Sequence, residues 1–280
     1  MNYNYCTKTD KKFFDSSLDL KNVMLEIEKV EKMRELDIAD LLCAFNDYGF
    51  VVLQCKDLRA QSNDLLKLSK IFGRVVKHNR TDHRGIVSIS IQPGYPDYLG
   101  TSNKPHPLHT DGSFLKNPPK IMVLQCEIAD LDGGFTNLIS CKAIYQYLKR
   151  YNPKGLELLF SPDVFTIKRD NESATRAIFE SQNGRVSMAF RTNDGQAKVS
   201  VIEGVQDVMN SILSFISNAD NQLTFKLEKG QILITDNLSI LHGRTSFPKY
   251  SPRKLNRVYF DGQSDYCSHI LFGFEAVAYE

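Results

Sequence analysis

KIMVLQCEIADLDGGFTNLIS, residues 120–140, sets the reading of the fold. Two short runs rich in apolar and β-branched residues, KIMVLQCEI (120–128) and FTNLIS (135–140), flank a polar, glycine-bearing turn. Runs of that length bounded by turn residues read as strands. The same texture continues on both sides. Downstream lie VFTIKR (164–169), RVSMAFR (185–191), LTFKL (223–227), QILITD (231–236) and NRVYFD (256–261). Upstream lie GFVVLQ (49–54) and GIVSISIQ (85–92). Parallel neighbours need a long crossover, usually helical, and most of these strands are joined without one. The pattern therefore predicts an antiparallel sandwich or jelly roll rather than a parallel α/β sheet.

Helices flank the strands. Residues 142–151 and 203–219 read as two of them, and SNDLLKLSKIFG (62–73) as an amphipathic helix stopped by Gly73. Ile38, Leu41, Leu42 and Phe45 recur at helical spacing before Gly49, so residues 20–47 read as helical. Residues 93–108, with four prolines, read as loop. No repeat, low-complexity tract or flexible linker divides the sequence. The expectation is one domain over residues 1–280, mainly β with flanking helices, with an N-terminal helical part at about 1–48.

Composition narrows the function classes. Over 280 residues, 42% are hydrophobic, enough for a sizeable core, and 24% are charged, as in ordinary globular chains. A net charge of +2 gives no overall field to attract nucleic acid or an acidic membrane. No apolar run reaches the roughly 20 residues of a membrane span, and the polar start lacks a signal-peptide core. A cytoplasmic protein with no nucleic-acid or membrane partner is expected. The six cysteines include no CxxC pair, so most are expected to be reduced core thiols.

The chemistry concentrates in three places. PLHTDGSF (107–114) sets His109 and Asp111 two apart, on one side of the chain if the segment is extended. Alone, such a pair is as ordinary as a polar turn. NLSILHGRTSF (237–247) adds His242 after an apolar strand and beside Gly243, which lets backbone approach closely. Two histidines and a carboxylate form the facial triad of non-haem Fe(II) oxygenases, with positions left open for substrate and oxygen. RKLNRVYFDG then sets Arg253 and Arg257 four apart, on one side of a strand. A guanidinium aimed into an apolar barrel requires an anion, and its planar fork suits a carboxylate.

Together these motifs resemble one family. H-T-D at 109–111, PPK-x-x-x-LQC at 118–126, GG-x-T at 133–136, HGR-x-x-F at 242–247 and R-x-x-x-R at 253–257 look like the TauD/TfdA family of Fe(II)- and 2-oxoglutarate-dependent dioxygenases. YGFVVLQ (48–54) and LSKIFGRV (68–75) resemble that family's opening strand and helix, so the likeness runs from about residue 36 to 261. It implies a double-stranded β-helix, the cupin-like jelly roll. It implies Fe(II) on His109, Asp111 and His242, with O2 and 2-oxoglutarate as co-reactants. Arg253 matches the arginine that grips the distal carboxylate of 2-oxoglutarate, and Thr136 a hydroxyl that helps hold it. Family halogenases lack the carboxylate ligand; with Asp111 present, oxygenation or desaturation is expected.

Substrate contacts are less legible. Arg257 matches a position that contacts anionic substrates in some relatives and only supports the site in others, and Arg191 one that lies near the substrate. Ser113 and Phe114 follow the metal pair and are further candidates. Gln92, Tyr95 and Tyr98 fall in the loop where pocket residues often sit. The motifs look most similar to clavaminate-synthase-like members and to oxygenases of isocyano derivatives of tyrosine. The expected substrate is a small amino-acid derivative bearing a carboxylate, in specialised-metabolite biosynthesis, and the expected reaction is hydroxylation, desaturation or epoxidation. Two other readings stand beside it: a protein-directed hydroxylase on the same core, and a non-enzymatic jelly-roll binding protein. The oligomeric state stays open, a homo-oligomer included.

Overall fold

The computed structural model describes residues 11–57, 63–92 and 98–276. Two facing sheets form the centre. The larger runs, in spatial order, Met24–Ile27, Phe50–Cys55, Gln231–Asp236, Ile121–Ile128, Lys254–Phe260 and Val87–Ser90. The smaller runs Leu223–Phe225, Thr136–Ser140, Ile240–Arg244 and His106–His109. Pairing in both is antiparallel except between the first two strands of the larger sheet. Strands distant in sequence thus become neighbours, as a jelly roll requires.

Strand alternation explains why the sheets face one another. Phe50, Val52, Leu124 and Leu233 turn inward and pack against Leu138, Leu223, Phe225 and Ile240 of the smaller sheet. Their neighbours Val51, Leu53, Val123, Ile232 and Ile234 turn outward and are covered by Ile38, Leu41, Leu42 and Phe45 of the helix Glu35–Tyr48. Period two on the strands meets period 3.6 on the helix, and both faces of the sheet become dry. A third cluster buries the outer face of the smaller sheet under the helices Cys141–Tyr151 and Gln206–Ser217.

Several local expectations are corrected. The helix begins at Glu35, and Met24–Ile27 within the expected helical stretch is a strand parallel to Phe50–Cys55. The helical spacing resides in residues 38–45 alone; upstream, backbone pairing with the next strand decides. The helix Glu35–Tyr48 then serves as the crossover that a parallel pair demands, and Gly49 ends it at φ 78°. The helix expected over 62–73 is two short turns, Asp64–Lys67 and Ser69–Phe72. Glu172–Arg176, Phe179–Gln182 and Ala197–Val201 are strands that carry no clear apolar alternation. They pair with Phe165–Arg169 and Arg185–Met188 to build two small added sheets at the margin of the barrel.

No helix among the described residues is long and apolar enough to cross a membrane. Cys55, Cys126 and Cys141 are buried free thiols, Cys43 is half-buried and Cys267 is exposed; Cys6 lies outside the described residues. Burial pushes the Cys55 and Cys126 thiols up to about 11, which suits inert core residues.

Candidate metal centre and adjoining cavity

The pairing of His106–His109 with Ile240–Arg244 puts His242 directly opposite His109, ring centroids 4.4 Å apart. Gly243 permits that approach: a Cβ there would stand 2.8 Å from the His106 carbonyl oxygen. Asp111 arrives differently from the expectation of one extended segment. The strand ends at His109, and Asp111 lies in the turn beyond it. Asn237 holds it there. Its Oδ1 accepts from the Asp111 backbone N–H at 2.7 Å, and its Nδ2 donates to the carbonyls of Asp111 and Pro119 at 2.9 and 2.8 Å.

The three side chains converge. Asp111 Oδ1 lies 3.4 Å from His109 Nε2, and Oδ2 lies 3.4 Å from His242 Nε2. All three residues are buried, with potential ligand atoms within 4.8 Å of one another. His109 Nδ1 lies 2.8 Å from the Pro107 carbonyl, which can only accept, so Nδ1 carries the proton and Nε2 keeps a lone pair. That Nε2 is buried without a hydrogen-bond partner. Burial first, then His242, hold His109 down to about 4, so it is neutral near pH 7. Burial alone would raise Asp111, but Arg257 and His242 outweigh it and keep the carboxyl well below its usual range. Two imidazoles and one carboxylate, with an unpartnered nitrogen, fit a divalent metal such as Fe(II).

A cavity of about 630 Å³ opens beside this cluster. Thr136, Arg253, Leu124 and Leu255 line it, together with Asp111, His242 and Arg257. Arg253 and Arg257 share a face, as the strand spacing predicts. Arg253 is buried and its Nη1 lacks a partner, and burial lowers its pKa. The Phe247 ring lies 5.1 Å from its guanidinium. The GG-x-T motif gains a physical meaning here. At Gly134, with φ +67°, a Cβ would stand 2.6 Å from Arg253 Nε. Glycine clears the path for the arginine while Thr136 faces the same space.

The structure separates the remaining candidates. Arg257 reaches the cavity, but its Nη1 contacts both Asp111 carboxylate oxygens at 3.2–3.3 Å. Arg191 is fully buried and ion-paired with Asp194, and it does not line the cavity. Ser113 is fully buried away from it, with an unpartnered Oγ. Phe114 packs on the outer core cluster and meets the cavity only through Arg169, whose guanidinium lies 5.1 Å from its ring. Gln92 and Tyr98 do line the cavity; Tyr95 lies outside the described residues.

Other lining residues gave no sequence signal. Arg80, Arg169 and Gln196 come from a loop and from the added strands. His106 stacks on His109 with centroids 4.1 Å apart. Arg244, inside the HGR motif, donates to the carbonyls of Leu99 and Ser102 at 3.2 and 3.1 Å, and to that of Lys104. It thereby ties the 99–104 segment to the metal-bearing strand.

Comparison with known proteins agrees with this geometry. Residues 19–259 match the model of the taurine catabolism dioxygenase TauD, TfdA family, and the chain belongs to that family. Tyrosine isonitrile desaturase of Erwinia amylovora is 25% identical over 256 residues, covering 85% of each chain. Human gamma-butyrobetaine dioxygenase is 25% identical over 151 residues, 50% of this chain and 39% of that protein. PvcB of Pseudomonas aeruginosa, at 22% identity, superposes with a TM-score of 0.63 over 85% of this chain and 84% of its own. The non-haem iron oxygenase OrfP, at 14% identity, superposes with a TM-score of 0.67 over 84% and 83%. Both structural likenesses support the jelly-roll fold.

Proposed function

We propose that this protein is an Fe(II)- and 2-oxoglutarate-dependent dioxygenase that oxidises a small amino-acid-derived substrate bearing a carboxylate. We propose further that it works as one catalytic domain in the cytoplasm. The observation that carries the reading is the buried cluster of His109, Asp111 and His242 beside a cavity into which Arg253 also opens, its Nη1 without a partner. The substrate class draws support from relatives whose names specify tyrosine isonitrile and from solved neighbours holding hydroxylated asparagine and arginine.

Iron, when bound, supplies the open coordination positions at which 2-oxoglutarate and O2 react, giving succinate, carbon dioxide and an oxidised substrate C–H. The protein's own residues do the rest. His109, Asp111 and His242 would hold the metal. The Pro107 carbonyl fixes the His109 tautomer, and Asn237 fixes the Asp111 backbone. Arg253 binds the distal carboxylate of 2-oxoglutarate through its free Nη1, with Thr136 beside it. Leu124 and Leu255 keep that end dry, which strengthens the ion pair.

Anaerobic visible absorption tests this. Metal-free protein given Fe(II) and then 2-oxoglutarate is expected to develop a weak charge-transfer band that needs both. His109→Ala loses the band. Arg253→Ala keeps it but requires roughly 100-fold more 2-oxoglutarate, the scale of a lost charge-assisted fork. No band in folded wild type overturns the assignment.

A further inference from the structure

We propose that Arg169, carried by an added strand outside the barrel, is the residue that binds the substrate's carboxylate and sets specificity for it. This rests on the dioxygenase reading above.

Charge accounting motivates it. Among the described residues, five arginines line the cavity, Arg80, Arg169, Arg244, Arg253 and Arg257, against two carboxylates, Asp82 and Asp111. Asp82 is engaged by Arg84 at 2.6–2.8 Å, and Asp111 belongs to the metal cluster. Like charges gathered in a low-dielectric space are costly without an anion. Each of the other arginines already has an occupation. Arg244 donates to three carbonyls. Arg253 faces the cosubstrate end. Arg257 braces Asp111. Arg80 pairs with Asp170 at 2.7 Å.

Arg244, Arg253 and Arg257 each keep one buried donor without a partner as well, but Arg169 is tied neither to a carboxylate nor to backbone carbonyls and is not the cosubstrate clamp. Its Nη2 donates to Gln196 Oε1 at 2.9 Å, while its Nε is buried with no partner. The rings of Tyr98 and Phe114 lie 5.3 and 5.1 Å from the guanidinium and restrict its plane. Asp194, the acid that acts on it most strongly, is already taken by Arg191 and by the backbone N–H groups of Gln196 and Ala197. A guanidinium oriented by one hydrogen bond and two rings, with a donor left over, is prepared for a planar anion. Tyr98 also joins Arg80 and Asp170: its hydroxyl donates to Asp170 Oδ2 at 2.8 Å, and the Arg80 guanidinium stacks 3.1 Å from its ring. The mouth of the cavity is thus built around Arg169, while the metal and the cosubstrate clamp occupy the barrel.

The test uses full-length protein loaded with Fe(II) and 2-oxoglutarate. The probes are matched acid and neutral pairs: tyrosine isonitrile and its methyl ester, L-arginine and L-argininamide, L-asparagine and its C-terminal amide. Substrate-dependent succinate gives KM and kcat separately, and the anaerobic band shift reports binding. Wild type is expected to favour at least one acid over its neutral partner. Arg169→Gln raises KM for that acid about 10–100-fold with little change in kcat. It leaves the neutral partner's KM unchanged, so the preference collapses. Arg169→Lys restores part of it. The cosubstrate band persists in both variants, which a general loss of structure would not allow. An unchanged acid-to-neutral ratio in Arg169→Gln overturns the inference, as does a wild type that prefers no acid. Absence of the band in wild type overturns the dioxygenase reading and this inference with it.

Discussion

The two walls of the cavity are built by different means. The inner wall, His106, Thr136, His242, Arg253 and Arg257, stands on or beside paired barrel strands. The outer wall, Arg80, Tyr98, Arg169 and Gln196, stands on loops and on a small added sheet at the margin of the barrel, and side-chain contacts link these pieces to one another. Backbone ladders fix positions to within fractions of an ångström, as metal ligation requires. Side-chain latches let the outer wall vary while the chemistry stays in place. The proposed function and the proposed role of Arg169 assign reaction class and substrate choice to separate walls of the cavity.

That division can be broken at its most rigid point. Gly134→Ala adds a Cβ at positive φ and against Arg253 Nε. The expected result is a loss of about 1–3 kcal/mol in stability and a rise in the 2-oxoglutarate KM of roughly tenfold or more. Denaturant unfolding and succinate kinetics measure the two. An unchanged KM would show that the inner wall yields where rigidity is claimed.

Proton linkage sharpens the contrast at intermediate cost. Burial first, then Arg257, lower His78 to about 4 from an ordinary 6.5, so the fold holds it neutral. The unfolded chain takes up the proton first as pH falls. Stability is therefore complete above about 6.5 and is lost as pH drops towards about 4. Metal-free His78→Gln is expected to show a shallower loss than wild type across that window in thermal unfolding. Equal slopes would remove His78 from the account.

The smallest effect is expected at the outer latch. Asp170 sits in a turn at φ 52°, a conformation asparagine tolerates. Asp170→Asn keeps the turn but weakens the contacts to Arg80 and Tyr98. Stability should change by less than about 1 kcal/mol, as for other exposed ion pairs. Substrate KM should move a few-fold while the cosubstrate band stays intact. A lost band would join the two walls into one unit.

Legibility follows the same division. Gln231–Asp236 matches the stretch read as strand from sequence because alternating, β-branched residues sit on both faces of a buried sheet. His109, Asp111 and His242 were readable as candidates because metal ligation restricts residue type and because each sits in a short local motif. The Arg253–Arg257 spacing was readable because strand periodicity is two. By contrast, Met24–Ile27 was read as helix, since a short edge strand takes its identity from its partner. Arg191 was read as a substrate contact, but its partner Asp194 lies three residues on and holds it off the cavity. Arg169 gave no signal, because its strand looks like any surface strand until Tyr98, Phe114 and Gln196 close around it.

The sequence by itself determined the chemistry: a β-rich jelly roll, a 2-His-1-carboxylate set and an arginine aimed inward. Those depend on residue type and on periods of two and 3.6, which are local. Only the tertiary structure decided how Asp111 is delivered past the strand end by Asn237 and why glycine must stand at 134. It also decided what each of the cavity's arginines already touches. Those depend on what lies opposite a residue once distant strands meet, and no local pattern encodes the neighbour across a cavity.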